Sequence, residues 1–366
     1  MTQPHPGWPD RRILDMFGID LPILQAPMAG ASTPEMCIAV SEAGGLGSLP
    51  CAMMNTGQVR TALMAITAAT RKPYNVNFFC HTPPVPNAER EEAWKKRLTP
   101  YYVEHGLHPI GPTPASTRAP FDDATCALVE EFKPAVVSFH FGLPAKDLLA
   151  RVRATGAKII ASATTVAEGR ILEQRGCDAI IAQGSEAGGH RGTFIADNMA
   201  GQVGTFALVP QMADAVRVPV IASGAVADAR GIVAAFTLGA AAVQIGTAYL
   251  LCPEAKITPF HRQALRTANA DDTMITNLFT GRPARGIANR LMREVGPLSD
   301  LAPEFPLAGG ALIPLRQKAE PVGIGDFSSM WSGQASRLAR EMPAGELTRV
   351  LAAEALNKLH PASDGD

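Results

Sequence analysis

The residues best suited to chemistry lie between 179 and 194, in AIIAQGSEAGGHRGTF. The apolar run 179–182 reads as a buried strand. It ends in a loop that sets His190 and Arg191 among Gly184, Gly188, Gly189 and Gly192. Glycine allows positive φ and lets a backbone approach a ligand closely, so the imidazole is presented to something. With an ordinary pKa near neutrality it can remove or return a proton; a structural histidine is the plainer alternative. Arg191 reads as an anchor of the loop. His140, closing SFHFG, is open between substrate contact and core. His81 and His261 have no comparable placement. Arg282 and Arg285 could meet a substrate carboxylate, although surface arginines are commoner.

Other polar groups sit at the ends of apolar runs. Asn77 lies in YNVNFF, Gln183 in AIIAQG and Gln244 in AAVQIGT. Each is either a satisfied core amide or a partner for a polar ring. Pro27, in QAPMAG, fixes φ and removes a donor, which suits a strand terminus or a backbone edge facing a flat ligand. Gly224 ends PVIASG ahead of a helix that opens near Asp228, and Gly246 and Thr247 end the next strand. A glycine-rich loop opening a helix offers N–H donors and a positive dipole end; tight βα turns favour glycine as well. Three amides and a phosphate site together suggest a polar heterocycle with a phosphate tail. Flavin mononucleotide (FMN) fits well, a sugar phosphate less well.

The elements that must position these groups alternate along the chain. Eight short apolar runs recur, at 22–30, 45–50, 74–79, 135–142, 157–163, 179–184, 219–224 and 241–247, with helix-like stretches between them. Near-continuous apolar strands alternating with helices imply a parallel sheet covered on both faces. Several helices end in the same signature, ATGAK, QRGCD or TLGAA, with glycine as the stop. Eight βα units closing on themselves form a TIM (β/α)8 barrel, an α/β fold. An open doubly wound sheet would carry GxGxxG after its first strand, where this chain has APMAGAS.

The barrel is expected over residues 12–250. About 55 residues separate its third and fourth strands, an insertion at about 81–120, and the loop after the sixth strand is also long. Residues 251–366 read as a helix- and loop-rich segment over the barrel mouth, a substrate lid. In this fold the loops that follow strands build the active-site face, and those after strands 7 and 8 frequently bind phosphate.

Composition excludes several classes. The 366 residues are 46% hydrophobic, with 33 basic against 34 acidic residues, so the basic excess of a nucleic-acid binder is missing. Cys37, Cys51, Cys80, Cys126, Cys177 and Cys252 lie far apart without a CxxC pair and read as reduced residues of an intracellular protein. No carboxylate–histidine cluster has metal spacing, so no metal is expected. The N-terminus lacks a signal-peptide core. The most apolar segment, 233–251, is interrupted by Gly239, Gln244 and Gly246 and reads as two buried elements, not a membrane span. A cytoplasmic protein is expected. The helical C-terminal segments permit a homodimer without requiring one.

QAPMAG, AGGLG, VNFF, AQGSEAGGHRG, VIASGAVAD, QIGT, TGRPARGI and WSGQ, in this order, resemble the nitronate monooxygenase family, formerly the 2-nitropropane dioxygenases, and its class I branch most closely. The likeness runs from about residue 12 to about 340. AGGLG and the GGH loop also occur in flavin-dependent enoyl and quinone reductases of the same superfamily, whereas the ordered set is specific. The resemblance implies FMN held without a covalent link by Ala26, Pro27, Met28, Asn77, Gln183, Gly188, Gly189, Gly224, Gln244, Ile245, Gly246 and Thr247. His190 matches the family's catalytic histidine, and Trp331 to Gln334 would reach back toward flavin or substrate. The implied chemistry oxidises an alkyl nitronate with O2 to a carbonyl compound and nitrite. On a nitroalkane His190 would act as base; toward a preformed nitronate a protonated His190 could balance the charge. Quinone-reductase relatives place a lysine beyond strand 4, where this chain has SFHFGLP and its nearest lysine is Lys146.

Three other functions compete. One is an FMN oxidoreductase passing hydride from NAD(P)H to a quinone or enoyl thioester. The others are a non-catalytic binder of flavin or of a phosphate ligand and a metal-free sugar-phosphate isomerase.

Overall fold

The computed structural model describes residues 7–108, 118–195 and 199–361. Eight parallel strands appear where the apolar runs placed them: β1 (Ile23–Gln25), β2 (Gly47–Pro50), β3 (Tyr74–Phe79), β4 (Val136–His140), β5 (Lys158–Ala163), β6 (Ala179–Gln183), β8 (Val220–Ser223) and β9 (Ala242–Ile245). The two-residue β7 (Gly189–His190) lies outside the barrel. The sheet runs β1-β9-β8-β6-β5-β4-β3-β2. Its ends meet at a parallel Leu24–Leu46 bridge, with Gln25 N donating to Leu46 O at 3.0 Å. This is the TIM barrel.

Local chemistry sets the helices between strands. Thr33, Asn55, Asp122 and Thr165 each accept a backbone N–H at a helix start, satisfying donors that the first turn leaves open. The glycines of ATGAK, QRGCD and TLGAA take φ near +90° and stop their helices. The segment 233–251 divides into a helix end, β9 and a 3-10 turn, as its interruptions implied. No helix among the described residues is long and apolar enough to cross a membrane.

The helix Ala344–Leu359 buries Leu347, Leu351, Ala352 and Ala355. It packs against the helices Pro34–Glu42 and Ala229–Thr237, the first and seventh of the ring, and so fills the eighth place. Residues 252–343 are an excursion between the last strand and the last helix of the barrel. They hold a hairpin, β10 (Thr273–Thr276) and β11 (Ala284–Ile287), where helices and loops were expected. β11 pairs antiparallel with β7, Ala284 opposite His190. From the expected insertion at 81–120, residues 109–117 lie outside the described residues. Its helix Ala88–Glu104 buries Trp94, Leu98, Tyr101 and Tyr102 against Leu291, Leu312, Leu315 and Phe327 of the excursion, a second core beside the mouth.

Candidate active site

The C-terminal ends of the barrel strands open into a cavity of about 420 Å³. Ala26, Pro27, Met28, Asn77, His140, Gln183, Gly188, Gly189, His190, Gly224, Gln244, Gly246, Thr247 and Trp331 all line it. Two expected residues do not. Ile245 is fully buried in the barrel core, because alternation along β9 turns it away from the face that Gln244 shares. Gln334 lies past the cavity wall, its backbone N–H donating to Glu186 O at 3.1 Å.

His190 is held at both ends. Its carbonyl accepts from Gln183 Nε2 at 3.0 Å and from His140 Nε2 at 3.2 Å. Its ring Nε2 lies 2.9 Å from Thr280 Oγ1, whose own proton goes to Arg282 O at 3.3 Å. With the ring proton on Nε2, Nδ1 has no hydrogen-bond partner among the described residues. Around the imidazole stand Phe305, Trp331, Phe141 and Phe79, centroids 5.4, 5.5, 5.9 and 6.1 Å away. Burial, then the charge of Arg118, pushes the imidazole well below its ordinary pKa. Against the expected pKa near neutrality, desolvation favours the neutral form of this ring.

The loop geometry answers why glycine surrounds the histidine. A Cβ at Gly188 would lie 2.5 Å from Gly333 N, and one at Gly192 would lie 3.0 Å from His140 Cε1 and from Ser162 Cβ. Arg191, fully buried, donates to the carbonyls of Gly184 and Gln183 at 2.7 and 2.8 Å. The strap of residues 330–333 crosses the mouth. Gly333 N donates to Thr247 Oγ1 at 2.9 Å, and His261 Nε2 to Trp331 O at 3.1 Å.

The polar floor fits a ring with hydrogen-bonding edges. Asn77 Nδ2 donates to Ser138 Oγ and Ser138 O, which leaves Oδ1 for the cavity. Gln244 Oε1 is buried without a partner, an acceptor that a ligand N–H would satisfy. Gln183 differs from expectation: Nε2 holds His190 O, and Oε1 accepts from Gly192 N at 2.8 Å, so its amide serves the loop first. The phosphate reading also shifts. Asp228 already accepts from Arg230 N and Gly231 N at the helix start. The available donors are those of the loop itself, Ser223 to Ala227, with Gly246 and Thr247, which line the cavity.

Several site residues escaped the sequence reading. His261 lines the cavity, and His81 packs 4.8 Å from Phe305, so both are corrected to site neighbours. Arg285 is spent on Ser185 O and Thr273, and Arg282 stacks over Phe141 at 4.1 Å; neither lines the cavity. The cations on its wall are Arg118, Lys256 and Arg316. Thr280 and Phe305 come from the excursion, where the TGRPARGI and WSGQ runs gave the signals.

A TIM barrel with a half-buried histidine at its C-terminal mouth, over a floor of amide acceptors, has the site of a barrel enzyme. The nitronate monooxygenase family model matches residues 10–354. A nitronate monooxygenase of Paraburkholderia phytofirmans is 43% identical over 348 residues, 94% of each chain. One from Pseudomonas aeruginosa is 41% identical over 346 residues, 94% of this chain and 98% of that one. Nitroalkane oxidase of Streptomyces ansochromogenes superposes with a TM-score of 0.85 at 37% identity, covering 94% and 97%. FabK from Thermotoga maritima gives 0.72 at 28%, covering 95% and 96%. The chain belongs to the nitronate monooxygenase family.

Proposed function

We propose that this chain binds FMN in the cavity and oxidises alkyl nitronates with O2. Two nitronates consume one O2: each carbon–nitrogen double bond breaks, each carbon keeps one of the two oxygen atoms, and two nitrites leave. The observation that carries the reading is His190, neutral, caged by aromatic rings and aimed by Thr280 at the cavity. Family membership supports the nitronate, and the unsatisfied Gln244 Oε1 supports a ring cofactor.

Gln244 Oε1 would accept from the one N–H of the oxidised flavin ring, with Asn77 at the polar edge beside it, and the 223–227 and 246–247 loops would hold the phosphate. Bound FMN would supply an electron acceptor and a place for O2 to react. Phe79, Phe141, Phe305 and Trp331 pack around the imidazole and lower the polarity beside it. On a nitroalkane, the proton on the carbon next to nitrogen would pass to His190 Nδ1 while the electron pair moves onto the nitro oxygens. An imidazole held far below its ordinary pKa is a weak base for this step. The preformed nitronate is therefore the preferred substrate, and Arg118 and Lys256 favour its charge, Arg316 being paired with Glu320 on the same wall.

Purified protein assayed with 2-nitropropane and its nitronate, following O2 and nitrite, tests this. Nitrite should appear in step with O2 uptake, many-fold faster from the nitronate. A flavin-loaded protein that releases no nitrite from either would reject the reading. If it instead oxidises NAD(P)H with a quinone or enoyl thioester, the reductase alternative stands.

A further inference from the structure

The His190 carbonyl carries two side-chain donors, and one of them, His140, has no other visible task. Both of its ring nitrogens are committed within the protein. Nε2 lies 3.2 Å from His190 O, and Nδ1 lies 3.1 Å from Ser162 Oγ. A carbonyl only accepts, so Nε2 carries the proton, and Nδ1 must accept from the Ser162 hydroxyl. The tautomer is thereby fixed by two strands of the barrel wall: His140 ends β4 and Ser162 lies in β5.

A second observation agrees. The chain at Gly192 passes so close that a Cβ there would stand 3.0 Å from both His140 Cε1 and Ser162 Cβ. The His190 loop therefore lies directly on the His140–Ser162 pair, while Gln183 grips it from the neighbouring strand at His190 O and Gly192 N.

We propose that His140, oriented by Ser162, is a positioning residue. It contributes no free nitrogen to substrate, and it fixes the backbone from which the His190 ring projects. The inference rests on the reading of His190 given above.

The test compares His140→Phe, His140→Gln, Ser162→Ala and His190→Asn for kcat and KM with neutral 2-nitropropane, the substrate whose proton His190 would take, alongside bound-flavin absorbance. His140→Phe keeps the ring and loses the donor; His140→Gln restores a donor. The expected result is a fall in kcat of about tenfold or more in His140→Phe, since small misplacements of a reacting group cost rate steeply, with KM nearly unchanged and most of the loss recovered in His140→Gln. Ser162→Ala, which should fold normally, is expected to lower kcat in the same sense. In ¹⁵N spectra of histidine-labelled wild type, His140 should show an Nε2–H tautomer that Ser162→Ala disturbs.

A rise in KM with kcat kept, an absence of rescue by glutamine, or wild-type turnover in His140→Phe would overturn the proposal. Should His140→Phe fail to fold, Ser162→Ala and the ¹⁵N spectrum decide alone, an Nδ1–H tautomer overturning it. Wild-type turnover in His190→Asn would instead refute the role given to His190, and the spectrum would then judge the His140 clamp by itself.

Discussion

Burial and the nearby charges of Arg118 and Arg282 hold His190 in its neutral form, and that state decides what the residue can do. His190→Asn should lower nitroalkane oxidation by about 10²–10⁴-fold, the usual worth of a positioned base, and nitronate oxidation by far less; equal losses on both substrates would contradict the base role. Acid should also weaken the fold. His81 and His261 are pushed down to about 4, and His140 to about 3, each mainly by burial. Unfolded histidine takes its proton near pH 6.5, so between there and pH 4 the unfolded chain binds more protons and stability falls with falling pH. Tm should drop steadily from pH 7 to 5, and a flat profile would count against the burial of these rings. At this scale the sequence showed the histidine and its glycines but not its charge state. Protonation is set by Phe305, Arg118 and Arg282, all far from His190 along the chain.

The decisive element is the hairpin β10–β11 with the strap at 330–333. β11 pairs with β7, and Gly286 meets Trp331 across an antiparallel bridge. A Cβ at Gly286 would lie 2.8 Å from Met330 O. Gly286→Val should therefore loosen the strap, lower Tm and speed flavin loss measured by ultrafiltration; unchanged retention would mean that the strap does not close the site. The eight barrel strands were legible because each is a short apolar run between turn signals. The hairpin was not, because TMIT and ARGI are short and mixed in polarity, and the outer partner of ARGI is a glycine-rich loop. No local pattern announces a strand of two residues such as β7.

For the whole molecule, the last helix matters as much as the mouth. Ala344–Leu359 completes the ring, and Thr348 Oγ1 meets the buried Tyr249 OH at 2.7 Å. Leu351 is fully buried, so Leu351→Ala should cost about 2–5 kcal/mol in urea denaturation; a loss under about 1 kcal/mol would place the helix outside the cooperative fold. Sequence reading saw this helix but not its place. The sixteen-residue pattern is plainly helical, yet nothing within it says that it returns across about 90 residues of excursion to the first and seventh helices.

The measurement that bears most directly on the central claim is anaerobic. The purified protein, reconstituted with FMN if needed, is mixed with an alkyl nitronate and separately with NADH and NADPH, and flavin absorbance is followed. Rapid bleaching by the nitronate, toward a one-electron form, with little response to either nucleotide is the expected result. Reduction by NAD(P)H with no response to nitronate would contradict the account and move the chain to the reductases. A preparation that takes up no FMN at all would remove the cofactor on which the account rests.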